Sequence, residues 1–142
     1  MPNDSRRSRG ALGERLAEQH LEDAGYLVLE RNFRTRYGEL DLVARRPEAL
    51  VFCEVKTRIA RGGTGPGGSA GAGDVPGPAS PLGPFASIGA RKQRQVRAMA
   101  RQWLARGLLE GPRPPEIRFD AIGISFDARG RLLALEHLES AF

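Results

Sequence analysis

The sequence predicts an α/β chain, a small mixed β-sheet flanked by helices in the order α-β-β-β-α-β-β. Three observations predict it. Apolar residues recur at helical spacing near the start and again past the middle. Short segments rich in Val, Leu, Phe and Tyr are separated by turn residues. A strand, a helix and a strand then follow one another between Leu50 and Phe126, which implies a parallel pair joined by a right-handed crossover.

The first helix is expected from Gly10 to Ala24, where Leu12, Leu16, Ala17, Leu21 and Ala24 mark one face and Gly25 supplies the stop. His20 falls on that face as a partly buried core residue. Glu14 lies at its edge and looks over the rim of the core toward the sheet, although the helix dipole alone would also favour an acid in the first turn. Glu18, Glu22 and Arg15 are expected to face solvent. Three strands follow, Tyr26 to Arg34, Glu39 to Arg45 and Leu50 to Thr57, separated by Tyr37-Gly38 and Arg46-Pro47-Glu48, as a meander of hairpins.

Residues 61–84 contain nine glycines and five prolines and almost no bulky apolar side chain. Such a stretch buries too little surface to offset the entropy of ordering it, so it reads as a disordered loop inserted into one domain spanning 1–142, with a functional lid as the less favoured alternative. A second helix is expected from Ser87, its N-cap, to Arg106, with Gly107 as its stop. Val96, Met99, Ala100 and Trp103 form its apolar stripe, Trp103 as core. Lys92 falls on that stripe near the helix N-terminus, where a lysine must reach something polar, such as a phosphate. Two strands close the chain, Ile117 to Phe126 and Arg131 to Leu138, joined by Asp127-Ala128-Arg129-Gly130.

The 142 residues are 40% hydrophobic, enough for one compact core. The net charge is +5, and 20 of the 22 basic residues are arginine, a side chain that forks onto phosphate. Nucleic acid is therefore an expected partner, with a GC-rich coding bias as the competing source of the arginine. Arg91, Arg94, Arg97 and Arg101 occupy one side of the second helix, where they could track a phosphate backbone or simply be solvated. Cys53 is the only cysteine, so no intrachain disulfide is possible, and its apolar surroundings mark a small core hydrophobe. With no long apolar run, the chain is expected to be cytoplasmic, neither exported nor membrane-spanning.

The candidate site begins in Leu50-Val51-Phe52-Cys53-Glu54-Val55-Lys56. Alternation puts Leu50, Phe52, Glu54 and Lys56 on one face and Val51, Cys53 and Val55 on the other, so the strand is buried on both sides and charged only at its C-terminal end. In the preceding strand Glu39 and Asp41 share one face, and Leu40 and Leu42 the other. A hairpin through Arg46-Pro47-Glu48 would bring Asp41 beside Glu54 and Lys56. Converging carboxylates repel unless a cation joins them, and hard oxygen donors suit Mg2+ or Mn2+. Cross-strand ion pairs, worth about 0.2–1 kcal/mol each, are the plain alternative. Asp120, an acid inside an apolar strand, is expected to anchor an arginine or the core lysine.

Taken together the chain resembles the YraN family, bacterial restriction-endonuclease-like proteins similar to archaeal Holliday-junction resolvases. The resemblance rests on Gly10-Ala11-Leu12-Gly13-Glu14 with Ala17, Gly25-Tyr26, Arg31-Asn32-Phe33-Arg34, Gly38-Glu39-Leu40-Asp41-Leu42-Val43, Leu50 to Arg58, Lys92, Arg118-Phe119-Asp120 and Ala141-Phe142. It implies the PD-(D/E)xK core, with Asp41 and Glu54 as metal-binding acids, Lys56 as the phosphate-facing lysine and Glu14 as a helix-borne acid. Glu39 and Lys92 would be supporting residues. The chain departs from the family in Cys53, where valine is usual, and in the long Gly/Pro insert. The implied activity is Mg2+- or Mn2+-dependent endonucleolytic hydrolysis of DNA, branched or damaged, in repair or recombination; cleavage of a junction would require a homodimer. A non-catalytic DNA-binding or adaptor protein that keeps the nuclease fold is the alternative.

Overall fold

The computed structural model describes residues 2–59 and 89–142. The segment expected to form a disordered loop, and Ser87, the expected helix cap, lie outside the described residues. The elements are α1 (Pro2–Asp23), β1 (Leu27–Thr35), β2 (Gly38–Arg45), β3 (Ala49–Ile59), α2 (Ala90–Ala105), β4 (Glu116–Phe126) and β5 (Leu132–Leu138). Helix α1 begins well before Gly10, with proline at its first helical position, where a missing N–H costs nothing. The polar, basic residues before Gly10 carry no apolar period from which that extension could be read.

The five strands form one sheet in sequence order. All neighbours are antiparallel except β3 and β4, which run parallel from Ala49↔Glu116 to Ile59↔Phe126. Each face carries one helix. Ala17 and Leu21 of α1 pack on Leu42, Ala44, Val51, Cys53, Ile122, Ile124 and Phe126. Val96, Met99, Ala100 and Trp103 of α2 pack on Phe33, Leu40, Val43, Leu50 and Phe52. Trp103 is fully buried and meets Phe52 edge to face at 5.8 Å, so it is a core residue.

One expectation about the faces is overturned. Leu40 belongs to the α2 side and Leu42 to the α1 side, so the two do not share a face. The cause is Asn32, which lies opposite Asp41, between the pairs Arg31↔Leu42 and Phe33↔Leu40, and has φ +50. A left-handed residue inside a strand breaks the two-residue alternation of its side chains, and asparagine tolerates that conformation better than most. The two paired strands roll over together at that step.

Candidate active site

The β2–β3 ladder closes at Leu42↔Cys53, while β3 continues beside β4 as far as Ile59. Glu54 and Lys56 are therefore in the middle of their strand rather than at its end, which corrects the expectation from sequence. What ends at Cys53 is the pairing with β2. Where the next ladder bond would form, the Asp41 carboxylate accepts the Val55 backbone N–H instead, with Oδ2 at 2.7 Å. The fork between β2 and β3 is thus held by a carboxylate, and Asp41 stands beside Glu54 because of it.

Glu14 from α1 and Glu39 and Asp41 from β2 bring one carboxylate oxygen each to within 4.8 Å of one another. Gly13 makes the approach of α1 possible, since a Cβ there would collide with the Thr57 hydroxyl of β3. With its amide nitrogen turned toward the acids, the orientation these acceptors require, Asn32 donates to Glu39 Oε1 at 3.0 Å and to Glu14 Oε1 at 3.2 Å. Arg34 pairs with Glu39 at 3.3 Å from a largely exposed position. Burial, the charge of Glu54 and then the charges of Glu14 and Glu39 push the Asp41 carboxyl up to about 7, against the opposing hydrogen bond from Val55.

Glu54 is 5% exposed. Its Oε1 meets the Lys92 ammonium at 3.1 Å across the start of α2, as a lysine on the core stripe demands. Its other oxygen, Oε2, is buried with no hydrogen-bond partner among the described residues. An unpaired buried carboxylate oxygen costs several kcal/mol unless something occupies it. Lys56 is partly buried further along β3. The site thus brings Glu14, Glu39, Asp41, Glu54 and Lys92 into one neighbourhood.

Asp120 lies outside that cluster and is fully buried. Arg118 grips it with two hydrogen bonds of 2.8 Å, the Ser140 N–H donates at 3.0 Å and His137 Nε2 lies 2.6 Å away. Arg118 also donates to the Tyr26 hydroxyl. Burial opposes the Asp120 charge, yet these donors outweigh it and hold the carboxyl below its ordinary value. Since a charged carboxylate only accepts, His137 donates from Nε2, and its Nδ1 meets His20 Nε2 at 3.0 Å. The chain from α1 to β5 is structural: Asp120 anchors an arginine, one of the two partners expected for it.

Glu18 was expected in solvent. Instead its side chain is 19% exposed and receives Arg31 Nε of β1 at 2.7 Å, which lowers its carboxyl below the ordinary value. Asn32 and Arg31 are the residues that sequence reasoning did not single out for the site. An asparagine inside a β-rich segment was the available signal for Asn32, since it is a residue type that tolerates φ above zero. Arg91, Arg94, Arg97 and Arg101 are all exposed along α2.

A family model described as "Uncharacterised protein family UPF0102" matches residues 13–124. A UPF0102 protein of Streptomyces griseus is 40% identical over 126 residues, covering 87% of this chain and 89% of the relative. One from Pelobacter propionicus is 41% identical over 138 residues, covering 96% and 83%. One from Pelotomaculum thermopropionicum is 37% identical over 139 residues, covering 98% of each. No helix among the described residues is long and apolar enough to cross a membrane.

Proposed function

The chain belongs to the UPF0102 family, whose description names no activity, and from its carboxylate cluster we propose that it is a metal-dependent nuclease hydrolysing phosphodiester bonds in DNA. The observation that supports this most is the buried, unpartnered Glu54 Oε2 beside Asp41. Three carboxylates, Glu14, Glu39 and Asp41, gather within 4.8 Å, with Glu54, paired to the Lys92 ammonium, beside Asp41, a hard oxygen donor set that fits Mg2+ or Mn2+. Asp41, Glu54 and Glu14 would hold the ion, with Glu39 beside them. When bound, it supplies Lewis acidity to a phosphate oxygen and to water.

The chain's own residues do the rest. Asn32 steers the Glu14 and Glu39 carboxylates, and Gly13 sets the height of α1 over the sheet. Lys56 offers positive charge for the charge that develops on phosphorus oxygens. Lys92 sits at the N-terminal end of α2, and Arg91, Arg94, Arg97 and Arg101 follow the backbone without reading sequence. Branched or damaged DNA is the expected substrate, and symmetric incision of a junction would require a homodimer.

The test is a magnesium and manganese titration over single-stranded, duplex, flap and four-way-junction DNA. Wild type should cleave, and Asp41→Ala and Lys56→Ala should lose activity; cleavage unchanged in both variants rejects the assignment. One observation favours a second reading, a non-catalytic DNA-binding adaptor: the Lys92 ammonium already neutralises Glu54. Calorimetric titration with manganese separates the two. Site-specific binding lost in Glu54→Ala counts against the adaptor, and no binding counts against the nuclease.

A further inference from the structure

A second cleft, of about 330 Å³, opens on the α2 side of the sheet between α2, β4 and the segment that joins them. Its floor is apolar and includes Phe52, Ile117 and Phe119, and three arginines stand around it: Arg97, Arg101 and Arg113. None of the described residues that line it is acidic. Like charges gathered at an apolar cleft lack a counter-charge, so a ligand that joins an anion to a flat apolar body would satisfy both parts at once.

The cleft is well supported. Phe119 stacks on Phe52 at 5.7 Å and meets Phe142 at 5.5 Å, so its ring is held by aromatic contacts. Arg97 lies over the same ring at 4.7 Å. The segment bearing Arg113 is tied down by Arg45, which donates to the carbonyls of Glu110 and Pro112 at 2.9 and 3.0 Å. A guanidinium resting on a ring can stack with a base on its free side, and two further guanidinium groups can grip a phosphate.

We propose that this cleft holds one unpaired nucleotide of a DNA strand, its base on the free side of the Arg97 guanidinium that rests on Phe119 and its phosphate between Arg101 and Arg113. A base reaches an apolar floor only when it has left the duplex stack, so the cleft selects single-stranded or frayed DNA over intact duplex. Phe52 and Glu54 are two residues apart in β3, which amounts to about 7 Å along the strand. That is the span of about two nucleotides at the 3.4 Å rise of a stacked strand, so the cleft and the carboxylates are within reach of neighbouring nucleotides of one strand. The proposal rests on the reading of the chain as a DNA-acting nuclease and names the strand form that it would prefer.

The experiment is fluorescence anisotropy with a labelled single-stranded oligonucleotide and its matched duplex, in EDTA so that no cleavage intervenes. Arg113→Ala should weaken single-strand binding about tenfold, reduce its salt slope by about one and change duplex binding by less than about twofold. Phe119→Leu, which keeps the cleft apolar but removes the ring that supports Arg97, should weaken single-strand binding similarly. An oligonucleotide of abasic units should bind wild type no better than natural DNA binds Phe119→Leu. Equal losses on both DNA forms, no loss on either, or an acidic peptide that displaces the oligonucleotide equally well would overturn the proposal. Because binding is read without metal, these outcomes judge the cleft alone, whereas absence of metal-dependent cleavage rejects the nuclease reading.

Discussion

Asp41→Asn should make the metal-free protein more stable at neutral pH. Asp41 is forced by its surroundings toward the protonated form, its carboxyl raised from the usual 3.8 to about 7 by burial and by Glu54, Glu14 and Glu39. At about 1.4 kcal/mol per pH unit, ionising it in the folded chain costs about 4 kcal/mol more than in the unfolded chain. The sign follows from the raised folded value: the stability is intact below about pH 4 and is lost as pH rises toward 7. Asparagine removes that charge and can keep the carbonyl that accepts the Val55 N–H. Thermal unfolding in EDTA should therefore coincide for the two proteins near pH 4 and separate by about 10 °C at pH 8, with the variant higher. Manganese should then raise wild type and leave the variant unmoved, since an ion bound only by the folded state stabilises by mass action. Parallel pH profiles for the two proteins, or a variant that melts lower at pH 8, would refute the idea that Asp41 is held in an electrostatically costly place.

Other perturbations should act with opposite sign or at other points. Asp120→Asn leaves Arg118, whose side chain is 11% exposed, with only the exposed Glu139 carboxylate at 3.7 Å as counter-charge, and should cost about 3 kcal/mol in denaturant unfolding at pH 7. Because the Asp120 carboxyl is lowered, that difference should shrink as pH falls through the lowered value, which an acid titration of the two proteins would show. Gly13→Ala should push α1 off Thr57, costing about 1–3 kcal/mol and weakening manganese affinity by moving Glu14. Lys92→Ala should lower stability in EDTA and should be restored by manganese; failure of manganese to restore it would favour Lys92 as the permanent counter-ion of Glu54.

The sheet order and the placement of both helices were legible because they follow from apolar period and from one strand-helix-strand passage. So was the meeting of Asp41 with Glu54, which needs only a hairpin of known register. Two features were not legible. The left-handed Asn32 rolls β1 and β2 so that Leu40 and Leu42 part company, and no two-residue pattern can announce its own interruption. The end of β2–β3 pairing at Cys53 is likewise invisible, because β3 stays apolar, extended and paired with β4 through the break. Glu18 was misplaced because its partner Arg31 lies on β1, a different element, and helical period alone does not show a pairing between elements.

The two buried aspartates show how the same residue type is put to opposite uses. Asp120 is surrounded by donors, from Arg118, His137 and the Ser140 backbone, and its charge is stabilised where it stands. Asp41 is surrounded mainly by acceptors, and its one backbone donor does not offset burial and three neighbouring acids. The first arrangement is complete without a ligand, so it belongs to the scaffold. The second is most stable with a proton or a cation added, and because the pH at which the proton leaves is near neutral, a cation has an advantage at that pH that a proton lacks. A fold that needed only cross-strand ion pairs would have no reason to leave Glu54 Oε2 buried and unmatched beside it.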